Sequence, residues 1–344
     1  MKVGLISIRF SPGQFSHIVA FYCMSKDIGV ECELQLDAQY KPFVQDSKEL
    51  KNAEVKWGIE KYSDCNVFIF FNSSQYDFNI IDNIHKNNTR AKVLYIYHEP
   101  WYGIKPWADD LIHHRVKWIV PVKSVVIHML MMKTLKKSDL VLLPSTGAER
   151  IYNRSDIRHN HNYTIFPLVY CDESVNYDIS GDRPYFSYIA TADHEKNFPL
   201  FLQTAKKALE QMPDLKVRIV SKTDVKEYWI DGLEEYVENG RLEINAGHVL
   251  SNEEINIALS KSFCSWTYYH HTTQSGVVER AMMLGSPVIA SDAGSFKDIV
   301  DGNNGIIVDE KLEPEVAIDE IIDKLHYFQL YKAEMSRSAR KTFV

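Results

Sequence analysis

The sequence predicts two doubly wound α/β domains in tandem. Short β-branched or aromatic runs alternate with helical patterns in both halves of the 344 residues. The runs are near-continuously apolar, as strands buried on both faces of a parallel sheet demand. A polar seam, Cys171–Pro184, divides the chain into residues 1–170, a linker over 171–184, and residues 185–344. At roughly 100–200 residues per domain the length fits this division.

In the first half the expected strands are Val3–Ile8, Val30–Leu36, Val67–Phe71, Val93–Tyr97 and Leu140–Leu143. In the second they are Tyr185–Ile189, Val217–Val220, Leu242–Asn245, Phe263–Trp266, Val288–Ala290 and Ile306–Val308. Helices lie between them. Phe198, Phe201, Ala205, Leu209 and Met212 recur every three or four residues, as do Ile318, Ile321, Leu325 and Phe328. Open α/β sheets bind ligands at the carboxyl ends of their strands, so the chemistry is expected there.

Composition excludes several classes. Lys+Arg of 39 against Asp+Glu of 46 gives a net charge of −7, which disfavours a general nucleic-acid-binding surface. The five cysteines (Cys23, Cys32, Cys65, Cys171 and Cys264) are odd in number and form no CxxC pair. Zinc ribbons and disulfide frameworks are poor readings, and a reducing compartment is the better one. No run approaches the roughly 18 apolar residues of a membrane-spanning helix. The opening Met1-Lys-Val-Gly-Leu-Ile-Ser-Ile reads as a buried strand interrupted by Arg9, not as a signal peptide. A cytoplasmic protein is expected, with the sequons at Asn72, Asn87, Asn153 and Asn162 idle.

The strongest local signal runs Thr273-Gln-Ser-Gly-Val-Val-Glu-Arg-Ala-Met-Met-Leu-Gly-Ser-Pro-Val-Ile-Ala-Ser-Asp-Ala-Gly294. It reads as a polar turn, a helix from about Ser275, a stop at Gly285, and a strand ending at Ser291. Free amides at such a helix start favour phosphate. A plain α/β crossover would read much the same by pattern alone.

The segment resembles the donor-binding segment of the GT-B retaining glycosyltransferases of family 4, written E-G-F-G-x-x-x-x-E-A-x-x-x-G-x-P-V-I-A-S. Its Thr-Gln-Ser-Gly-Val opening also resembles a branch that builds bacterial surface polysaccharides. Other parts follow in family order. Ser138-Asp-Leu-Val-Leu-Leu-Pro-Ser145 resembles the strand closing the first domain, and Tyr163–Leu168 the strand into the hinge. Asp193-His-Glu-Lys-Asn197 resembles the D-P-E-K-G loop, and Gly247-His-Val249 the loop beside the base. Asp301-Gly-Asn-Asn-Gly-Ile-Ile-Val308 resembles the D-G-x-N-G-x-L-V element. The resemblance implies two Rossmann-like domains facing a cleft. The first would bind the acceptor; the second, with a C-terminal helix, would bind the nucleotide sugar.

It also implies roles for residues. Lys196 would contact the donor diphosphate, a task suited to a flexible ammonium. The arginine that family members carry a few residues earlier is replaced by Thr191, and Lys222 could supply the missing charge. Counted back without gaps from Gly285, the family's second glutamate falls on Arg280 and its first on Thr272. A slip of one residue places Glu279 and His271 there instead. Glu279 is the chosen ribose ligand, since a carboxylate can accept hydrogen bonds from hydroxyls and a guanidinium cannot. Thr273, Gln274, Ser275 and Gly276 would offer amides and hydroxyls to sugar or phosphate, and His248 would lie near the base.

In the first domain Lys92-Val-Leu-Tyr-Ile-Tyr-His-Glu-Pro-Trp101 delivers His98 to a strand's carboxyl end, where the family often holds a histidine against the donor sugar. Glu99 beside it could contact donor or acceptor. Gly13, in Arg9-Phe-Ser-Pro-Gly-Gln14, would let backbone approach the donor. No metal-ligand spacing is present, and the adjacent His270 and His271 would point apart.

The expected function is transfer of a sugar from a UDP- or GDP-linked donor to a hydroxyl of a glycan or lipid-linked glycan. The resemblance implies retention and neither metal nor separate cofactor. A nucleotide-sugar 2-epimerase and a catalytically silent partner subunit are the alternatives. From Trp101 to Lys137, seven cations (Lys105, Arg115, Lys117, Lys123, Lys133, Lys136 and Lys137) meet only Asp109 and Asp110. They flank Val125-Val-Ile-His-Met-Leu-Met-Met132, which is either the core face of a helix or an interfacial helix for an anionic membrane. In the second case the enzyme would sit peripherally on the inner membrane face.

Overall fold

The computed structural model describes the chain apart from residues 59–63, 72–73, 75, 99, 101–118, 155–161, 168, 271, 273–274 and 344. It divides into two units, Met1–Cys171 and Asp172–Val344.

The first unit runs β1 (Lys2–Ser7), α1 (Phe15–Asp27), β2 (Glu31–Leu36), α2 (Lys41–Asp46), β3 (Glu54–Trp57), β4 (Val67–Phe70) and α3 (Asp77–Asn87). It continues through β5 (Lys92–Ile96), α4 (Ile119–Lys137), β6 (Leu140–Leu143), α5 (Thr146–Arg154) and β7 (Tyr163–Ile165). The strands form one parallel sheet in the order β3-β2-β1-β4-β5-β6-β7. Two apolar layers cover it. Ile18, Phe21 and Tyr22 of α1 pack with Leu5, Leu34 and Phe71, and Ile81, Met131 and Leu135 pack with Phe68, Phe70, Val93 and Val141.

The second strand departs from a simple apolar run. Glu33 is fully buried there, held by Lys2 Nζ at 2.9 Å, Lys56 Nζ at 3.2 Å and Gln35 Nε2 at 2.8 Å. The hydrogen bond to Glu33 raises the Lys2 ammonium above the ordinary lysine value. A buried carboxylate persists only when paired in this way. The same ladder accounts for β3, a four-residue edge strand whose Lys56 reaches Glu33. Its charged, half-exposed sequence gave no apolar signal.

The second unit runs β8 (Tyr185–Ile189), α6 (Phe198–Gln211), β9 (Lys216–Ser221), α7 (Glu234–Glu238), β10 (Leu242–Ala246), α8 (Asn252–Ser260) and β11 (Ser262–Thr267). Then come α9 (Gly276–Met283), β12 (Val288–Ser291), α10 (Phe296–Ile299), β13 (Gly305–Val308), α11 (Pro314–Leu330) and α12 (Lys332–Phe343). Its parallel sheet has the order β10-β9-β8-β11-β12-β13. One contiguous core holds it together, centred on Phe186, Tyr188, Phe198, Phe201 and Trp266. Gly285 ends α9 at φ +66°, where a Cβ would meet Ser336 Oγ at 2.8 Å.

Arg183 enters β8 with its guanidinium buried. It donates to the carbonyls of Ile179, Leu259, Ser262 and Leu284, gathering the carboxyl ends of α8 and α9. Helix ends carry partial negative charge, which suits a cation here.

Candidate active site

In each sheet the strand order reverses once, between β1 and β4 and between β8 and β11. Crossovers leave in opposite directions at such a point, opening a crevice beyond the strands' carboxyl ends.

In the second unit the loop after β8 is tied on every side. Ala192 N–H donates to Ser221 Oγ and Thr223 Oγ1, joining this loop to the one after β9. The Thr191 carbonyl accepts from the buried Tyr188 hydroxyl at 2.6 Å. Asp193 Oδ1 accepts from Lys196 N–H at 2.8 Å, and its carbonyl accepts from Phe198 N–H. Asn197 then adopts φ +53°, a left-handed conformation that asparagine tolerates and that a glycine would also supply. The turn aims Lys196 back over the sheet's end.

Lys196 Nζ lies 3.7 Å from Glu195 Oε1 and over Tyr269, two residues beyond β11. The ammonium stands 4.6 Å from the centroid of the Tyr269 ring. Both strand ends are locked together, because His270 N–H donates to the Glu195 carbonyl and Trp266 Nε1 to the Lys196 carbonyl. The Tyr269 hydroxyl is buried near Ser275, at the N-cap position of α9, without a hydrogen-bond partner among the described residues. Burial pushes the phenol well above its ordinary range, so it stays neutral. Gly294 lies against Thr272 with φ +56°; a Cβ there would fall 1.5 Å from the Thr272 carbonyl oxygen.

Glu279 and Arg280 part company on α9. Successive helical residues point about 100° apart. Arg280 turns inward, buried, its Nη1 donating to Asn256 Oδ1 at 2.9 Å and its Nη2 to Asn252 Oδ1 at 3.0 Å. Asn256 Nδ2 in turn donates to Glu173 Oε2 at 2.6 Å and to the Tyr177 hydroxyl at 3.2 Å. Arg280 is thus a structural tie between α9, α8 and residues 173–177. Glu279, in the first turn, is half-buried with Oε2 shielded from solvent.

Lys222 is exposed at the end of β9, on the strand beside the one that carries Thr191. Gly276 is exposed at the first position of α9. His248 follows the edge strand β10 and is engaged by Glu254 at 2.9 Å, a carboxylate that Ser251 and His248 hold down to about 2. His271, Thr273 and Gln274 lie outside the described residues.

Residues 183–326 match the family model for glycosyl transferases group 1. The match lies wholly within the second unit and spans most of it. No curated protein sequence matches the chain. Among solved structures, sucrose-phosphate synthase from Thermosynechococcus elongatus is similar with a TM-score of 0.68 at 13% identity, covering 99% of this chain and 94% of that one. Anabaena Alr3699/HepE, solved in complex with UDP-glucose, gives 0.62 at 11% identity, covering 99% and 95%. The pneumococcal O-GlcNAc transferase GtfA, solved with UDP and GlcNAc, gives 0.57 at 13%, covering 80% of this chain and 53% of that one. At such identities the likeness is one of fold, and the fold is GT-B: two Rossmann-like parallel sheets in one chain.

The remaining positions belong to the first unit. His98 follows β5 with Nε2 buried, and burial, aided by His17, pushes its pKa down to about 3. It is therefore a neutral imidazole at physiological pH, able to donate and accept hydrogen bonds. His17 of α1 lies beside it, ring centroids 6.4 Å apart, with Nδ1 3.1 Å from the Val169 carbonyl. Gly13 sits in a 3₁₀ turn, exposed, and a Cβ there would meet nothing within 4 Å. Glu99 lies outside the described residues. Asp77 at the start of α3 is fully buried, accepting from Ser74 N–H and the Tyr95 hydroxyl, and burial pushes it up to about 6. No group of three or more His, Cys, Asp or Glu among the described residues is placed to hold a metal.

Sequence reasoning missed Tyr269, Gly294 and His17. The signal for Tyr269 was available: Tyr268 and Tyr269 directly follow an apolar strand, where cleft residues sit. Gly294 ends the motif, and only its φ reveals the constraint.

Proposed function

We propose that the chain transfers a sugar, with retention, from a UDP- or GDP-linked donor to a hydroxyl of a glycan or lipid-linked glycan. The observation that carries this reading is the convergence of the Lys196 ammonium, Tyr269 and the start of α9 at the switch point of the unit that matches the glycosyl transferases group 1 model. Similar folds have been solved with UDP and UDP-glucose, which supports a nucleotide sugar as the ligand.

In this reading Lys196 and the α9 amides meet the donor diphosphate. As the glycosidic bond breaks, the departing phosphate gains charge, and fixed donors there lower the barrier. Glu279 accepts from the ribose hydroxyls, and Lys222 supplies the charge absent at Thr191. His98, kept neutral, hydrogen-bonds the sugar without adding positive charge near the reacting carbon. The reading requires no metal and no separate cofactor, and it is consistent with a role in polysaccharide synthesis. The test is incubation with a panel of nucleotide sugars. Nucleotide release that depends on an added acceptor supports transfer. Donor isomerisation without acceptor supports the 2-epimerase, and neither outcome supports a silent partner subunit.

A cytoplasmic, membrane-peripheral enzyme is the location we propose. No helix among the described residues is long and apolar enough to cross a membrane. On α4, Met131, Met132 and Leu135 are buried while Val126, Ile127 and Met129 are exposed, with Lys133 and Lys136 also exposed one to two turns on. Both expected roles of this helix therefore have residues to serve them. Sedimentation with anionic vesicles that weakens as salt rises supports the interfacial role; no binding at low salt leaves a soluble acceptor.

A further inference from the structure

We propose that Tyr269 is the positioning residue of the diphosphate contact: its ring face holds the Lys196 ammonium at the end of β11. This inference rests on the nucleotide-sugar reading above and adds a residue that the sequence motifs do not mark.

Three observations carry it. The first is placement. Tyr269 is 2% exposed, and Lys196 Nζ lies 4.6 Å from its ring centroid, inside the range where a cation is attracted to an aromatic face. The second is rigidity. The Tyr269 carbonyl accepts from Ser291 Oγ, its N–H donates to the Thr267 carbonyl, and its ring meets Phe296 edge-on at 5.7 Å. The third is that the lysine's own backbone is fixed, its N–H by Asp193 and its carbonyl by Trp266. Only the side chain between these anchors is free to rotate. A free lysine side chain loses substantial rotamer entropy when it orders on a ligand, and the ring meets part of that cost in advance.

Such a role has a specific signature. It belongs to the diphosphate and not to the base, so it appears in the ratio of monophosphate to diphosphate dissociation constants. A residue that merely supported the fold would weaken both nucleotides together. The experiment measures that ratio by calorimetry for UMP against UDP, and for GMP against GDP, on the full chain.

Tyr269→Phe keeps the ring and is expected to retain the ratio within about twofold. Placing progressively fluorinated phenylalanines at 269 weakens the ring face with little change of shape. The ratio should fall stepwise by about fivefold in total, which is about 1 kcal/mol, with monophosphate affinity constant. Tyr269→Leu should lose as much, and in a Lys196→Met background it should lose nothing further. A ratio unmoved across the fluorinated series, or equal losses for monophosphate and diphosphate, overturns the inference. Because that series preserves volume, misfolding of Tyr269→Leu does not decide the matter. If the wild-type chain binds neither UDP nor GDP, the nucleotide-sugar reading itself fails. If it binds them with a clear ratio that ignores Tyr269, only this inference does.

Discussion

Exchanging Arg280 for methionine should damage the protein's stability and spare its nucleotide site. The guanidinium is buried, and its bond to Asn256 Oδ1 spans 2.9 Å inside a site where Asn256 is itself fully buried. Methionine fills most of the volume but donates nothing, so Asn256 Oδ1 is left dry and unpaired, at a cost of about 1–3 kcal/mol. The bond to Asn252 reaches an exposed residue, where water can replace it. The sum is about 1–3 kcal/mol, and in a unit of this size each kcal/mol moves the midpoint by about 2–4 °C, giving about 2–12 °C. Per folded molecule, the dissociation constant for UDP or GDP should stay within about twofold. Glu279→Gln should do the reverse, moving the midpoint by less than about 2 °C and weakening the nucleotide about tenfold, the worth of one hydrogen bond to a charged acceptor. Paired thermal melts and titrations read both quantities. If Arg280→Met abolished binding at an unchanged midpoint, the ungapped register would be right and the assignment of Glu279 wrong.

Lys196→Ala should lower kcat/KM by about 30- to 1000-fold, or about 2–4 kcal/mol, with the midpoint unchanged; turnover within threefold of wild type would remove it from the diphosphate. Asp77→Asn should gain stability relative to wild type as pH rises. Burial holds the folded carboxyl up to about 6 against about 4 unfolded, so ionisation of the unfolded chain opposes folding across that window. The gap should grow by about 2 kcal/mol between pH 4 and pH 7, and melts showing a flat or shrinking gap contradict the burial argument. Gly294→Ala should displace the turn at Thr272 and weaken nucleotide binding at least tenfold, since its Cβ would sit 1.5 Å from a backbone oxygen. Unchanged affinity in a titration would show that this turn plays no part in the site.

The fold was legible because buried parallel strands announce themselves. Leu140–Leu143 and Tyr185–Ile189 have the bounds read from their apolar runs. β3 was hidden because Glu54 and Lys56 serve an ion-pair ladder with Lys2 and Glu33, an arrangement no local pattern encodes. The turn at Gly285 follows from residue type, since glycine tolerates positive φ, and Ser275 stands at the N-cap position of α9 without a side-chain capping bond. The direction in which Arg280 points did not, because it depends on Asn256, 24 residues away on a different helix. The Lys196 loop was readable as a motif. Its partner Tyr269 was not, because a tyrosine beyond a strand looks like any core aromatic until the loop folds over it.

The most direct test is a crystal structure of the chain with UDP or a UDP-sugar bound. We expect the diphosphate within hydrogen-bonding distance of Lys196 Nζ and the first amides of α9, with the ribose against Glu279. A nucleotide bound at the opposite ends of β8 and β11, or a diphosphate held by other groups with Lys196 still resting on Tyr269, would contradict the account.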